Sequence, residues 1–198
     1  MALEKVKDIM LPLDDYAIVG EDATMLDALL ALDEAQKKLP PGRQPHRAVL
    51  VIDKNKKIVG KLGHLAFLKG LEPKYNKIGD VGVLARAGLT PDFISSMVDK
   101  WHLWSGDFTD YVQRAKQTKV KEVMHPAVES IGEEEPLSDA IHKLVMYQTL
   151  SVLVTRGNAV VGILRLSDLF SAITSAIKKR ALSEPGESAR ERKEPGKS

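Results

Sequence analysis

The feature that most constrains this chain is that it resembles itself. Val6-Lys7-Asp8-Ile9-Met10 returns as Val120-Lys121-Glu122-Val123-Met124, and Pro12 returns as Pro126. Val19-Gly20-Glu21-Asp22 returns as Ile131-Gly132-Glu133-Glu134, Asp27-Ala28-Leu29 as Asp139-Ala140-Ile141, and Leu32 as Leu144. Ile58-Val59-Gly60 returns as Val160-Val161-Gly162, and Leu62 as Leu164. The offset is 114 residues, then 112, then 102, because the first copy carries ten more residues between Leu32 and Arg47. Matches that keep their order over about 60 residues define a repeat, and a repeat outranks any single motif in fixing architecture.

Each copy reads as strand, helix, strand, strand, helix. In the second, Ala127 to Ile131 is a short strand and Glu133-Glu134-Glu135-Pro136 opens a helix, with acids at the positive end of the dipole and Pro near the first helical position. Leu137, Ala140, Ile141, Leu144 and Val145 follow at helical spacing. Leu150 to Thr155 and Val160 to Leu164 are strands around an Arg156-Gly157-Asn158 turn, and Ser167 caps a closing helix bearing Leu169, Phe170, Ile173 and Ile177. The first copy places strands near Ala17–Val19, Arg47–Ile52 and Ile58–Leu62, and helices near Thr24–Lys38 and His64–Leu71. Ala48-Val49-Leu50-Val51-Ile52 is apolar throughout, as a strand covered on both faces would be. The expected division is therefore a first repeat over 1–71, an insertion over 72–119, a second repeat over 120–180, and a polar, disordered tail over 181–198. The fold class is α/β, or α+β on stricter schemes.

Composition narrows the function. With 29 Lys+Arg against 27 Asp+Glu, a net charge of +2 gives no bulk attraction to nucleic acid or anionic lipid. The absence of cysteine excludes disulfides, cysteine metal sites and cysteine nucleophiles. His64, His102, His125 and His142 include no pair at the i, i+4 spacing of a helical metal site, and no catalytic triad is evident. The longest aliphatic run, Ala48 to Ile52, is far shorter than the ~20 residues of a membrane helix. The expectation is a cytoplasmic, non-enzymatic protein with no metal, nucleic-acid or membrane site.

The insertion concentrates the aromatic residues. Tyr75, Phe93, Trp101, Trp104, Phe108 and Tyr111 all lie there. Thr90-Pro91-Asp92 reads as an N-cap with Pro at the first helical position, ahead of a face made by Phe93, Ile94, Met97, Val98 and Trp101. Ser105-Gly106-Asp107 breaks that helix, and Phe108, Tyr111, Val112 and Ala115 mark a second. Such a face calls for burial, either on the chain's own repeats or on another subunit or partner.

Tandem strand-helix-strand-strand-helix units opening with Val-Lys-Asp-Ile-Met resemble the CBS domain, paired as in a Bateman module. Residues 4–71 and 118–180 carry the resemblance, and Gly162-Ile163-Leu164-Arg165-Leu166-Ser167-Asp168-Leu169 is similar to the family's Gly-Ile-Val-Ser/Thr-x-x-Asp-Leu signature. The resemblance implies a regulatory module that binds an adenosine compound (AMP, ADP, ATP or S-adenosylmethionine) between the copies, needs no cofactor, dimerises, and signals to an effector in trans. The competing expectation is a scaffolding dimer that has lost its ligand.

By that resemblance Asp168 is the acceptor for the ribose 2′ and 3′ hydroxyls, a role suited to a carboxylate; the alternative is a helix-start acid. Arg165 stands where the family has Ser or Thr. Two roles are open to it, a bidentate phosphate contact or an ion pair with Asp168 that fills the site. Ser167 caps its helix or lies beside phosphate-binding N–H groups. His46-Arg47, with Val49, Val51 and Asp53, resembles stretches of the gamma subunit of AMP-activated protein kinase where basic residues face phosphates. Lys37, Lys38 and Arg43 flank it around Pro40-Pro41-Gly42. In the first copy Ala66 and Gly63 replace the acid and the hydroxyl, so one ligand per chain is expected.

Overall fold

Each repeat contributes to a four-stranded sheet in the computed structural model, which describes residues 5–39, 41, 43–78, 88, 90–127 and 129–183. In one sheet β2 (Ile18–Gly20) runs parallel to β3 (Ala48–Ile52). The latter is antiparallel to β4 (Ile58–Gly63), and β4 is antiparallel to β5 (His125–Pro126). The other sheet has the order β1 (Leu11–Pro12), β8 (Ala159–Arg165), β7 (Ser151–Arg156), β6 (Ser130–Gly132). The helices of the repeats are α1 (Met25–Lys37), α2 (His64–Leu71), a single turn α5 (Val120–Val123), α6 (Leu137–Tyr147) and α7 (Leu166–Ser183). The insertion supplies α3 (Pro91–Trp101) and α4 (Phe108–Gln117).

Local chemistry accounts for the boundaries. Thr24 caps α1 by accepting from the Asp27 amide at 3.1 Å, while Asp27 accepts from the Thr24 amide at 2.8 Å. Pro91 follows the Thr90 cap at the first position of α3. Gly157 turns the β7–β8 hairpin at φ 58°. The opposite hairpin instead uses Asp53, whose Oδ1 accepts from the amides of Asn55 at 2.8 Å and Lys57 at 2.9 Å. Val49, Leu50 and Val51 of β3 are buried on both faces.

The chain divides into two compact units that do not follow the sequence repeats. One joins the residues up to Leu11 with those from Ile131 onward, and the other is Pro12–Ser130. The opening pentapeptide of each copy therefore completes the other copy's unit. Val6 and Ile9 pack with Ile131, Leu137, Leu144, Val152, Leu164 and Leu169, and Val120 packs with Ala28, Val49, Val51 and Leu62. The main chain repeats the exchange. Val6 and Lys7 amides donate to the carbonyls of Glu135 and Glu133; those of Val120 and Lys121 donate to Ala23 and Glu21. Salt bridges match too, with Lys7 on Glu134 at 2.6 Å and Lys121 on Asp22 at 2.7 Å.

Three boundaries depart from expectation. Pro136 is the residue before α6 and not its first turn, and β6 begins at Ser130, with Val128 outside the described residues. The acids before α6 serve contacts across the unit: Glu133 receives Arg156, Glu134 receives Lys5 and Lys7, and Glu135 accepts from the Gly132 amide. Helix α7 continues through Ala181 to Ser183, where a tail was expected; the rest of that expectation, 184–198, lies outside the described residues.

Half of the insertion is anchored. Helix α4 packs on α1 and α2 and buries Ala115, and Leu103, in the link between α3 and α4, is buried as well. Glu72, at the end of α2, is 1 % exposed; it accepts from the Trp104 amide at 2.9 Å and faces Arg114, which donates to the Leu71 carbonyl at 2.6 Å. The apolar face of α3 is not covered in the same way, with Phe93 44 % and Ile94 48 % exposed.

Candidate functional site

Strand β8 ends at Arg165 and α7 starts at once with Leu166, whose amide donates to the Leu150 carbonyl at 2.9 Å. The junction leaves no loop, so Arg165 occupies the position before the helix and Asp168 lies in the first turn. Their side chains meet as a fork. Arg165 Nε donates to Asp168 Oδ2 at 2.5 Å, and Nη2 donates to Oδ1 at 2.8 Å. The side chains are 5 % and 6 % exposed. Of the two roles open to Arg165, the ion pair with Asp168 is the one this structure adopts. Ser167 is half-buried and sits inside the first turn, so it is not the cap; the helix begins at Leu166, two residues earlier than a cap at Ser167 implies, directly after Arg165 ends the strand.

His46 and Arg47 belong to the other unit. His46 is fully buried. Its amide donates to Gln36 Oε1 at 2.9 Å, its carbonyl accepts from Gln36 Nε2 at 3.1 Å, and its ring meets that of Tyr16 edge-on at 4.6 Å. Arg47 is exposed, and its carbonyl accepts from the His64 amide. Of the basic neighbours, Lys37 is held by Glu34 at 2.5 Å, and this contact raises its pKa. Pro40 and Gly42 lie outside the described residues. Asp53 is spent on its hairpin turn.

The first repeat has the same junction without the acid. Gly63 precedes α2 with no side-chain cap, and Ala66 is buried where Asp168 stands in the second copy. Lys61, two residues before Gly63 in β4, is half-buried; desolvation lowers its pKa, opposed by Glu129. The sequence reading missed Lys61, Gln36 and the Glu72–Arg114 contact. Lys61 interrupts an apolar strand, whereas Gln36, Glu72 and Arg114 stand among other polar residues, and only tertiary packing singles them out. Among the described residues no group of three or more His, Asp or Glu stands as a metal site, and no helix is long and apolar enough to cross a membrane.

Comparison with known proteins agrees with this geometry. The CBS domain family model matches residues 120–175. No curated protein matches the chain. Solved structures match over most of it. The CBS domain of a CBS-domain-containing membrane protein from Sphaerobacter thermophilus is 19% identical with a TM-score of 0.55, covering 84% of this chain and 86% of that one. CBSX2, solved in complex with AMP, is 19% identical with a TM-score of 0.54, covering 87% and 98%. A CBS-domain-containing protein from Bacillus anthracis is 17% identical with a TM-score of 0.56, covering 86% and 93%. At these identities the likeness is one of fold.

Proposed function

Starting from a chain that folds as a tandem CBS module, we propose that it is a regulatory, non-catalytic protein that binds one adenosine compound per chain through Asp168 and signals to an effector in trans as a homodimer. The observation that carries this reading is the Asp168 carboxylate. Its two oxygens lie side by side against two parallel N–H donors. That is the acceptor pair a vicinal diol requires, and Arg165 engages it as the two ribose hydroxyls would. The AMP complex of CBSX2, a protein of the same fold, supports the ligand class. Ala66 and Gly63 remove the acceptor from the first repeat and support a single site.

The second reading is a scaffold without ligand, favoured by the same pair, since Arg165 already fills the acceptor. A thermal-shift series with AMP, ADP, ATP and S-adenosylmethionine separates them. A ligand of the folded state at 100 times its Kd adds about 2.7 kcal/mol of stability. By calorimetry Asp168→Ala weakens binding by about 1.5–3 kcal/mol, the range for a hydrogen bond to a charged group. Equal affinity in wild type and variant removes Asp168 from the site; no stabilisation by any of the four compounds favours the scaffold.

A further inference from the structure

The turn between α3 and α4 keeps its shape against the preference of its own backbone. Among the described residues four other than glycine have positive φ, and two of them, His102 at 47° and Trp104 at 57°, lie in this turn. A left-handed residue ends a helix readily, as His102 ends α3. At Trp104 the same conformation crowds the Cβ of a bulky side chain, and it persists only where the surroundings impose it.

Those surroundings are the end of α2 and the 3-10 turn Pro73–Lys77 that follows it. Trp104 donates its amide to Glu72 at 2.9 Å and its Nε1 to the Tyr75 hydroxyl at 3.0 Å, and Lys74 Nζ donates to the His102 carbonyl at 2.7 Å. Glu72 stands just past the C-terminus of α2, where a carboxylate opposes the helix dipole, and it is almost fully buried. An acid in such a place depends on its donors, and the Trp104 amide is one of them. Two further features favour release. The Tyr111 ring lies 5.3 Å from that of Trp104, and its hydroxyl is buried without a hydrogen-bond partner. Helix α3 has no buried residue to hold it down.

We infer that this turn is a latch. Closed, Glu72 holds His102–Ser105 in the strained form with the Trp104 ring against Tyr111. Released, the turn and α3 swing out together as one local opening, which uncovers both rings while β3, β4 and α4 stay folded. The device lies within the Pro12–Ser130 unit and is independent of what Asp168 binds.

Native-state hydrogen exchange on the full chain tests the latch in wild type, Glu72→Ala, Glu72→Gln and His102→Gly. In wild type, amides of α3 and the turn are expected to exchange at least about 10-fold faster than those of β3. Glu72→Ala should speed exchange in α3 and the turn by a further ~10-fold or more and leave β3 and β4 unchanged. Glu72→Gln keeps an acceptor but loses its charge, so its effect is smaller. His102→Gly removes the left-handed cost at that residue and slows exchange in the same stretch. Both tryptophans of the chain, Trp101 and Trp104, flank the turn, so Glu72→Ala should also shift their emission to the red. Should Glu72→Ala not fold, wild type and His102→Gly still decide. Equal acceleration in β3, β4 and the turn would show that Glu72 supports the whole unit and overturn the latch. So would a turn whose exchange no variant alters, or one that in wild type opens no faster than β3.

Discussion

A Cβ placed on Gly162 would lie 2.4 Å from the Leu11 carbonyl oxygen, and one on Gly60 would lie 2.3 Å from Met124 Sδ. These glycines occupy matching places in the repeat, and each faces the opening segment of the other copy. The obstacles differ: a main-chain carbonyl cannot swing aside, whereas a thioether can. Gly162→Ala is expected to cost about 1–3 kcal/mol, the range for overpacking, and Gly60→Ala less, both read from urea midpoints. Glu134 offers a second test. Hydrogen bonds from Lys5 and Lys7 lower its pKa from 4.5 to about 2. A group depressed in the folded state stabilises it above the unfolded pKa, and that stabilisation is lost as pH falls toward 2. Glu134→Gln should flatten the acid dependence between those limits, measured by hydrogen exchange in Lys5–Leu11. At this scale the sequence marked Asp168 and Arg165 as neighbours through their spacing. It did not mark Gln36, whose role depends on the loop bringing His46 back to it.

Helices α3 and α4 have similar apolar patterns and different fates. Helix α4 buries Ala115 against α1 and α2, whereas α3 leaves Phe93 and Ile94 nearly half exposed. Changing both Phe93 and Ile94 to Ser is expected to shift unfolding stability by less than about 1 kcal/mol, since substitutions away from buried features do little. Leu103→Ala removes a buried side chain and should cost about 2–5 kcal/mol. Denaturant unfolding of the two variants compares them directly, and a large loss at the exposed face would mean that it is covered in solution. The elements themselves were legible because their signals are local: the Thr24 cap, Gly157 in its turn, the apolar run of β3. Boundaries moved by one or two residues where a strand passes into a helix without a loop, as at Arg165. Which apolar face finds cover is not local, and periodicity alone could not distinguish α3 from α4.

Taken as a whole, the chain is two units with exchanged opening segments, and this arrangement was hidden by the very repeat that revealed the fold. The two pentapeptides differ only by Asp8 against Glu122 and Ile9 against Val123, and Val6 and Val120 are both fully buried, each in the unit of the opposite copy. A chain starting at Pro12 should therefore lose protection not in the adjacent repeat but in β7, β8 and α6, as read by hydrogen exchange. Loss confined to β3 and β4 would contradict the exchange. By the same reasoning residues 120–175, the part matched as a CBS domain, should not form a stable unit alone, because Val6, Ile9 and Leu11 are missing from it. The separation has a further consequence during synthesis. Lys5 and its partner Glu134 are 129 residues apart. At ~5–20 residues per second, the ribosome takes on the order of 10 s to deliver that partner. Val6 and Ile9 wait longer still, until Leu164 and Leu169 emerge, so this stretch leaves the ribosome well before the core that receives it exists.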